Sequence, residues 1–137
     1  VDLSGKMLAK ARERAVYDEL ISADLCAWML SHPACFDVVV SADTLCYFGD
    51  LAPPLEAAAK ALRPGGRLVF TVENIQDNPP AAGYRLNPHG RYSHVEGYVE
   101  KILAEAGFRL ATLERDMLRK EHKQPVTGLL VAAVRSA

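Results

Sequence analysis

Three aspartates in this chain each follow a short apolar stretch: Asp2 after Val1, Asp24 after Leu20-Ile21, and Asp43 after the run from Phe36 to Ser41. An ionised carboxylate in such a place either accepts hydrogen bonds from a ligand or closes a strand and caps the helix that follows. Both readings stand for Asp2 and Asp24. Asp43 either polarises or deprotonates a reacting group or shapes its loop. His94 has the ordinary pKa of a general base near neutral pH. With Arg91 and Tyr92 it either lines a substrate pocket or fixes a long loop onto the next helix. Tyr84 and Arg85, in a polar stretch, are further candidates for substrate contact. Tyr47 and Phe48 wall a pocket or pack in the core. Nothing in the spacing of Cys26, Cys35 and Cys46 resembles a metal site, and they read as reduced, mostly buried thiols.

These residues need a frame, and the stretch Phe36–Asn74 supplies its centre. A β-branched run, Phe36 to Ser41, is followed by a segment that Pro53-Pro54 opens as a helix. Arg63-Pro64-Gly65-Gly66 then turns the chain into a second β-branched run, Arg67 to Glu73. That is a βαβ unit, and its valine-rich strands predict burial on both faces. Upstream, Val1 to Leu3 reads as a strand tail. Ser4 caps a helix ending near Ala15, Glu19 to Ser22 reads as a short strand, and Asp24 caps a helix stopped by Pro33. Downstream, residues 74–92 form a long loop rich in Pro, Asn and Gly. Ser93 and Glu96 spell a capping box, and Gly107 closes that helix. Residues 108–118 and 126–134 predict an antiparallel strand pair joined by the polar segment Arg119 to Pro125, and the charge run Arg115 to Lys123 reads as a solvated hairpin tip.

Bulk properties narrow the partners. The 137 residues suffice for one domain, residues 1–137, with a sizeable core. A net charge of −1 disfavours a nucleic-acid scaffold. No apolar run is long enough to span a membrane and no signal peptide is recognisable, so the expected location is the cytoplasm. Alternation of strand and helix predicts an α/β fold: a mostly parallel sheet with helices on both faces and an antiparallel C-terminal strand.

The motifs "VDLSGKML", "SADL", "FDVVVSADTL" and "ALRPGG" together resemble the second half of a class I S-adenosylmethionine-dependent methyltransferase, a Rossmann-like fold. The resemblance implies that Asp2 accepts from both ribose hydroxyls of S-adenosylmethionine, and that Leu3 and Met7 flank the adenine. It implies that Asp24 accepts from the adenine amino group while Leu25 offers its backbone amide. Ser41 and Ala42 would lie under the methionine part, with Asp43 near the reacting centre. The segment with Gly90, Arg91, Tyr92 and His94 resembles predicted methyltransferases attached to tetratricopeptide repeats.

The family's first strand and glycine-rich loop have no counterpart here. The expectation is therefore a sheet incomplete at its N-terminus, belonging to the C-terminal portion of a longer parent, with an incomplete cofactor site. Disorder near the N-terminus, a rearranged first helix and strand, or pairing with another chain such as a homodimer across the open edge is expected with it. The implied reaction is in-line displacement of a sulfonium methyl by an unidentified small-molecule or protein acceptor, for which alignment matters more than a marked catalytic group. The rival reading is a non-catalytic interaction module that kept the fold.

Overall fold

The first helix begins where Ser4 caps it. In the computed structural model, which describes residues 1–137, Ser4 Oγ accepts from the Met7 amide at 3.3 Å, and α1 runs from Gly5–Arg14. Ala15 ends it in the left-handed region, at φ 51°. The second helix, α2 (Leu25–Leu30), starts on Asp24, whose Oδ1 accepts from the Ala27 amide at 2.8 Å. Both caps satisfy amides that a helix cannot satisfy internally. Strand β1 (Phe36–Ser41), a single 3₁₀ turn at Leu45–Tyr47, helix α3 (Ala52–Ala61) and strand β2 (Leu62–Asn74) then build the predicted βαβ unit. Arg63–Gly66 lies inside the β1–β2 ladder as an irregularity, since Phe36 pairs with Leu62 and Val38 with Arg67. Gly65 takes φ +79° there, a conformation glycine adopts without strain.

Strand β2 is the axis of the sheet. It pairs parallel with β1 and antiparallel with β6 (Gln124–Arg135), and at its end it meets β4 (Tyr92–His94) through Glu73 and Asn74. β3 (Tyr84–Leu86) pairs antiparallel with β4, and β5 (Phe108–Glu121) antiparallel with β6, giving the order β3-β4-β2-β6-β5 with β1 beside β2. β1, β2, β4 and β5 share one direction, and β3 and β6 oppose them. The sheet is thus mixed, with the final strand inserted antiparallel beside β2 as the fold class predicts. Helix α4 (Glu96–Glu105) packs Val99 and Leu103 into a core with Phe70, Leu55, Leu129 and Val131. Each of these large side chains contributes about 1.5–3 kcal/mol by leaving water.

Several local expectations give way to tertiary structure. β1 is not buried on both faces: Val38 is 51% and Val40 68% exposed, because β1 has a hydrogen-bonded neighbour only in β2. Of the strand expected at 19–22, only an isolated parallel bridge between Asp2 and Ser22 forms. The expected loop 74–92 contains β3 and runs into the first residue of β4, with which β3 forms a hairpin. Ser93 is not a cap: it is paired with Glu73 in β4, its hydroxyl accepts from Asn87 Nδ2, and Val95 takes the N-cap position instead. Cys35 is exposed rather than buried.

The β5–β6 strands run further than expected and meet in a two-residue turn, His122-Lys123, with φ 46° and 66°. That is the turn geometry Asn-Gly prefers. Replacing His122-Lys123 by Asn-Gly is expected to raise stability by about 1 kcal/mol, read as a higher melting temperature. A lower one would show that the two native side chains matter beyond the turn.

Candidate active site

The N-termini of α1 and α2 converge with the loop after β1. The Asp2 amide donates to Ile21 O at 3.0 Å, which holds the segment before α1 against the segment before α2. Asp2 Oδ1 accepts from the Ser4 amide at 2.7 Å, just as Asp24 Oδ1 is engaged by Ala27. The second oxygen of each carboxylate has no protein partner. Leu25 is the first residue of its helix, so its amide has no acceptor within that helix. A cleft of about 620 Å³ brings Asp2, Leu3, Met7, Asp24 and Leu25 together with Asp43 and Tyr47. Leu3, Met7 and Tyr47 are all exposed, giving apolar surface beside three carboxylates. Ser41 and Ala42 lie in an adjoining cavity of about 360 Å³ that shares Asp2, Met7 and Leu25 with the cleft and is lined mainly by apolar residues of α1, α2, β1 and α3. Ser41 Oγ is buried there without a partner.

Asp43 stands at φ 51°, and its amide donates to Thr71 Oγ1 at 3.2 Å. Its carboxylate, half exposed, accepts from Arg119 Nη1 at 2.7 Å. Arg119 also donates through Nε to Glu121 at 2.8 Å and through Nη2 to Glu73. Arg91 joins the same two acids, donating through Nε to Glu73 at 2.8 Å and through Nη2 to Glu121 at 2.6 Å. Glu73, at the end of β2, has only 6% of its side chain exposed. Burial opposes the charge on Arg119, but its hydrogen bonds to Glu121 and Glu73 outweigh that and raise its pKa. The hydrogen bond from Arg119 in turn holds the Glu121 carboxyl below its usual range. Arg119, Glu73 and Glu121 were not singled out from the sequence. Arg119 lies in the charge run read as a solvated tip. The available signal was Glu73, an acid closing an otherwise apolar strand beside Asn74.

The remaining expected site residues sit behind the loop at 44–51. His94 is fully buried, and its Nε2 donates to Gly49 O at 3.0 Å. Burial pushes its pKa below 6.5, so the ring is neutral at pH 7. Its rings stack with Tyr98 and tilt against Tyr84, each at 6.1 Å between centroids. Tyr98 Oη accepts from the Leu51 amide at 2.9 Å and donates to Asp50 at 3.1 Å. Burial is the main reason its phenol is pushed up to about 12, with Asp50 adding to the shift. Tyr84 and Tyr92 close on Gly49 so tightly that a Cβ there would lie 2.7 Å from the Tyr92 ring. His94, Tyr84 and Tyr92, expected to meet substrate, therefore support the loop that carries Tyr47, Arg91 clamps Glu73 and Glu121, and none of the four lines the cleft. A base must reach the proton it removes, and His94 has no such access here.

Residues 1–70 match the methyltransferase domain family. The chain belongs to that family. Its fold is shared with solved methyltransferases. An S-adenosylmethionine dependent methyltransferase from Mesorhizobium loti is 27% identical, with a TM-score of 0.68 over 97% of this chain and 78% of that one. A SAM-dependent methyltransferase from Methanosarcina mazei is 17% identical, with a TM-score of 0.73 over 98% of this chain and 80% of that one. The N-methyltransferase NodS from Bradyrhizobium japonicum, solved in complex with S-adenosyl-L-homocysteine, is 19% identical, with a TM-score of 0.72 over 99% of this chain and 65% of that one. No curated protein matches the chain. The matched part of this methyltransferase domain holds α1, α2, β1 and Asp43, which build the cleft. The residues that brace Asp43 and the loop behind it, Glu73, Arg91, His94 and Arg119, lie beyond residue 70. No helix of the domain is long and apolar enough to cross a membrane.

Proposed function

We propose that this domain takes part in S-adenosylmethionine-dependent methyl transfer, to a small-molecule or protein acceptor, within a longer cytoplasmic parent of the tetratricopeptide-associated kind. The observation that carries the reading is the cleft, where two carboxylates with a free oxygen each, an unengaged helix-start amide and exposed apolar side chains face one space. That donor and acceptor set fits a nucleoside. Asp2 offers an acceptor to a vicinal diol, Asp24 and the Leu25 amide offer one acceptor and one donor to a base edge, and Leu3 and Met7 provide apolar cover. Ser41 Oγ, buried and unpaired, and Ala42 border the space left for the amino-acid end. When bound, the cofactor supplies an electrophilic sulfonium methyl.

The chain's own residues then align and exclude water. Asp43, held by Arg119, places a negative charge at the cleft. Tyr47 offers an exposed aromatic face to an acceptor, while Tyr84, Tyr92 and His94 hold the loop that presents it. No metal ion, nucleic acid or membrane enters this scheme. The free edge of β1 and the apolar cavity beside it suit one further parallel strand. We assign that place to a strand and glycine-rich loop preceding Val1 in the parent, or in their absence to a second copy of the chain.

Calorimetric titration with S-adenosylhomocysteine tests the reading, using this chain and one extended upstream. Binding by the extended chain alone is the expected result. Binding by neither sinks the enzyme reading and leaves a non-catalytic interaction module. Binding by the short chain shows that the upstream loop is dispensable. In whichever chain binds, Asp2→Ala is expected to weaken affinity roughly tenfold or more, the loss of a charge-assisted hydrogen bond. An unchanged affinity would remove Asp2 from the site.

A further inference from the structure

The loop after β1 does not hold Asp43 by itself. Its backbone sits in a left-handed conformation that L side chains rarely adopt, and a single 3.2 Å bond to Thr71 Oγ1 secures its amide. The second tie comes from 76 residues away, at the far end of β5. We propose that Arg119 is a positioning residue of the cleft, a three-armed pin that fixes the Asp43 carboxylate relative to the end of the central strand β2.

Three observations carry this. Each guanidinium nitrogen of Arg119 has a different carboxylate: Nη1 has Asp43, Nη2 has Glu73 and Nε has Glu121. A planar fork held at three points has little freedom left, which the single ammonium of lysine does not reproduce. Arg91 clamps Glu73 and Glu121 from the other side, so the partners of the pin are themselves fixed. The charges also balance only with Arg119 present. Without it, Asp43, Glu73 and Glu121 face Arg91 alone, with His89 Nε2 3.9 Å from Glu73 and charged only when protonated. Asp43 is the most exposed of the three acids and is the one free to swing outward. Its departure would remove that negative charge from the cleft that Asp43 lines together with Asp2 and Asp24.

The effect on ligand rests on the methyl-transfer reading, whereas the pinning itself does not, so two readouts separate them. Amide hydrogen exchange on the ligand-free chain reads the pin. In Arg119→Gln, exchange at Asp43 is expected to rise at least about tenfold, and by more than at the β2–β6 ladder amides Val69 to Val72, which follow whatever stability the Glu73 network loses. Arg119→Lys serves as a second variant with the charge kept, and the same local rise is expected. Unchanged exchange at Asp43 in both variants overturns the proposal. A uniform rise in both that includes the ladder also overturns it, because it assigns Arg119 a general structural role.

Titration with S-adenosylhomocysteine then closes a cycle of Arg119→Gln, Asp43→Asn and the double variant. Each single change is expected to weaken binding roughly tenfold, and the double variant no more than the weaker-binding single. Losses that multiply would show that Arg119 acts independently of Asp43 and overturn the proposal. Absence of binding by the unmodified chain and by its upstream-extended form defeats the functional reading, while the exchange result still decides the pin.

Discussion

Glu73→Ala lowers the stability of the domain by about 3–5 kcal/mol, the cost of leaving largely buried charges without their counter-ion. The carboxylate is 6% exposed and is shared by Arg91 and Arg119, whose side chains are 18% and 21% exposed. Its removal leaves two guanidinium groups in a partly desolvated site with only Glu121 and Asp43 to hold them. Urea unfolding reads the effect as a lower midpoint with an unchanged slope. A loss under about 1 kcal/mol would place the network with exposed ion pairs that contribute little. Glu73→Gln keeps the shape and one acceptor oxygen, and is expected to fall between the two.

His94→Ala is expected to cost about 2–4 kcal/mol, from the cavity left by a fully buried ring and from the lost partner of Gly49 O. The same residue sets a pH dependence whose sign follows from its burial. Burial lowers the folded pKa of His94 below 6.5, while the unfolded chain titrates near that ordinary value. Below pH 6.5 the unfolded chain therefore binds a proton that the folded chain refuses. The contribution is complete above pH 6.5 and is lost as the pH falls toward the folded pKa, by at most about 1.4 kcal/mol per pH unit. Glu121, also held below its ordinary pKa of 4.5, adds its own loss at lower pH. Melting temperatures at pH 7.5, 6.5 and 5.5 are expected to decline in the unmodified protein across the last interval. In His94→Phe, which fills the space without a titrating group, that decline is shallower. Equal slopes in the two proteins would mean that His94 takes up a proton in the fold as readily as out of it.

The parts legible in the sequence share a short reach. Ser4 caps on Met7 and Asp24 on Ala27, each across three residues, so residue type and spacing suffice to locate α1 and α2. The β-branched run at 36–41, the double proline at 53–54 and the run at 67–73 each dictate their own backbone, and together they require a parallel crossover. Those elements bring Asp2, Asp24 and Asp43 to one cleft, which is why the carboxylates of the candidate site could be named from motifs alone.

What the tertiary structure decided lies in contacts between residues far apart in the chain. Ser93 and Glu96 form a valid capping pattern, yet pairing of Ser93 with Glu73 puts Ser93 in a strand and moves the cap to Val95. Arg119 reads as one charge in a solvated run until the β5–β6 register, fixed by the turn at His122-Lys123, carries it to Glu73 and Asp43. His94 has the chemistry of a base, but 45 residues away Gly49 supplies the carbonyl that engages its Nε2 inside the aromatic packing of Tyr84 and Tyr98. The exposed side of β1 likewise depends on which strand lies beside it, and no residue of β1 encodes its neighbour. Local hydrogen bonding and side-chain period set the elements of this protein. Register, burial and the pairing of distant charges set which of its polar residues face the cleft and which hold it in place, because those quantities exist only once the elements have packed.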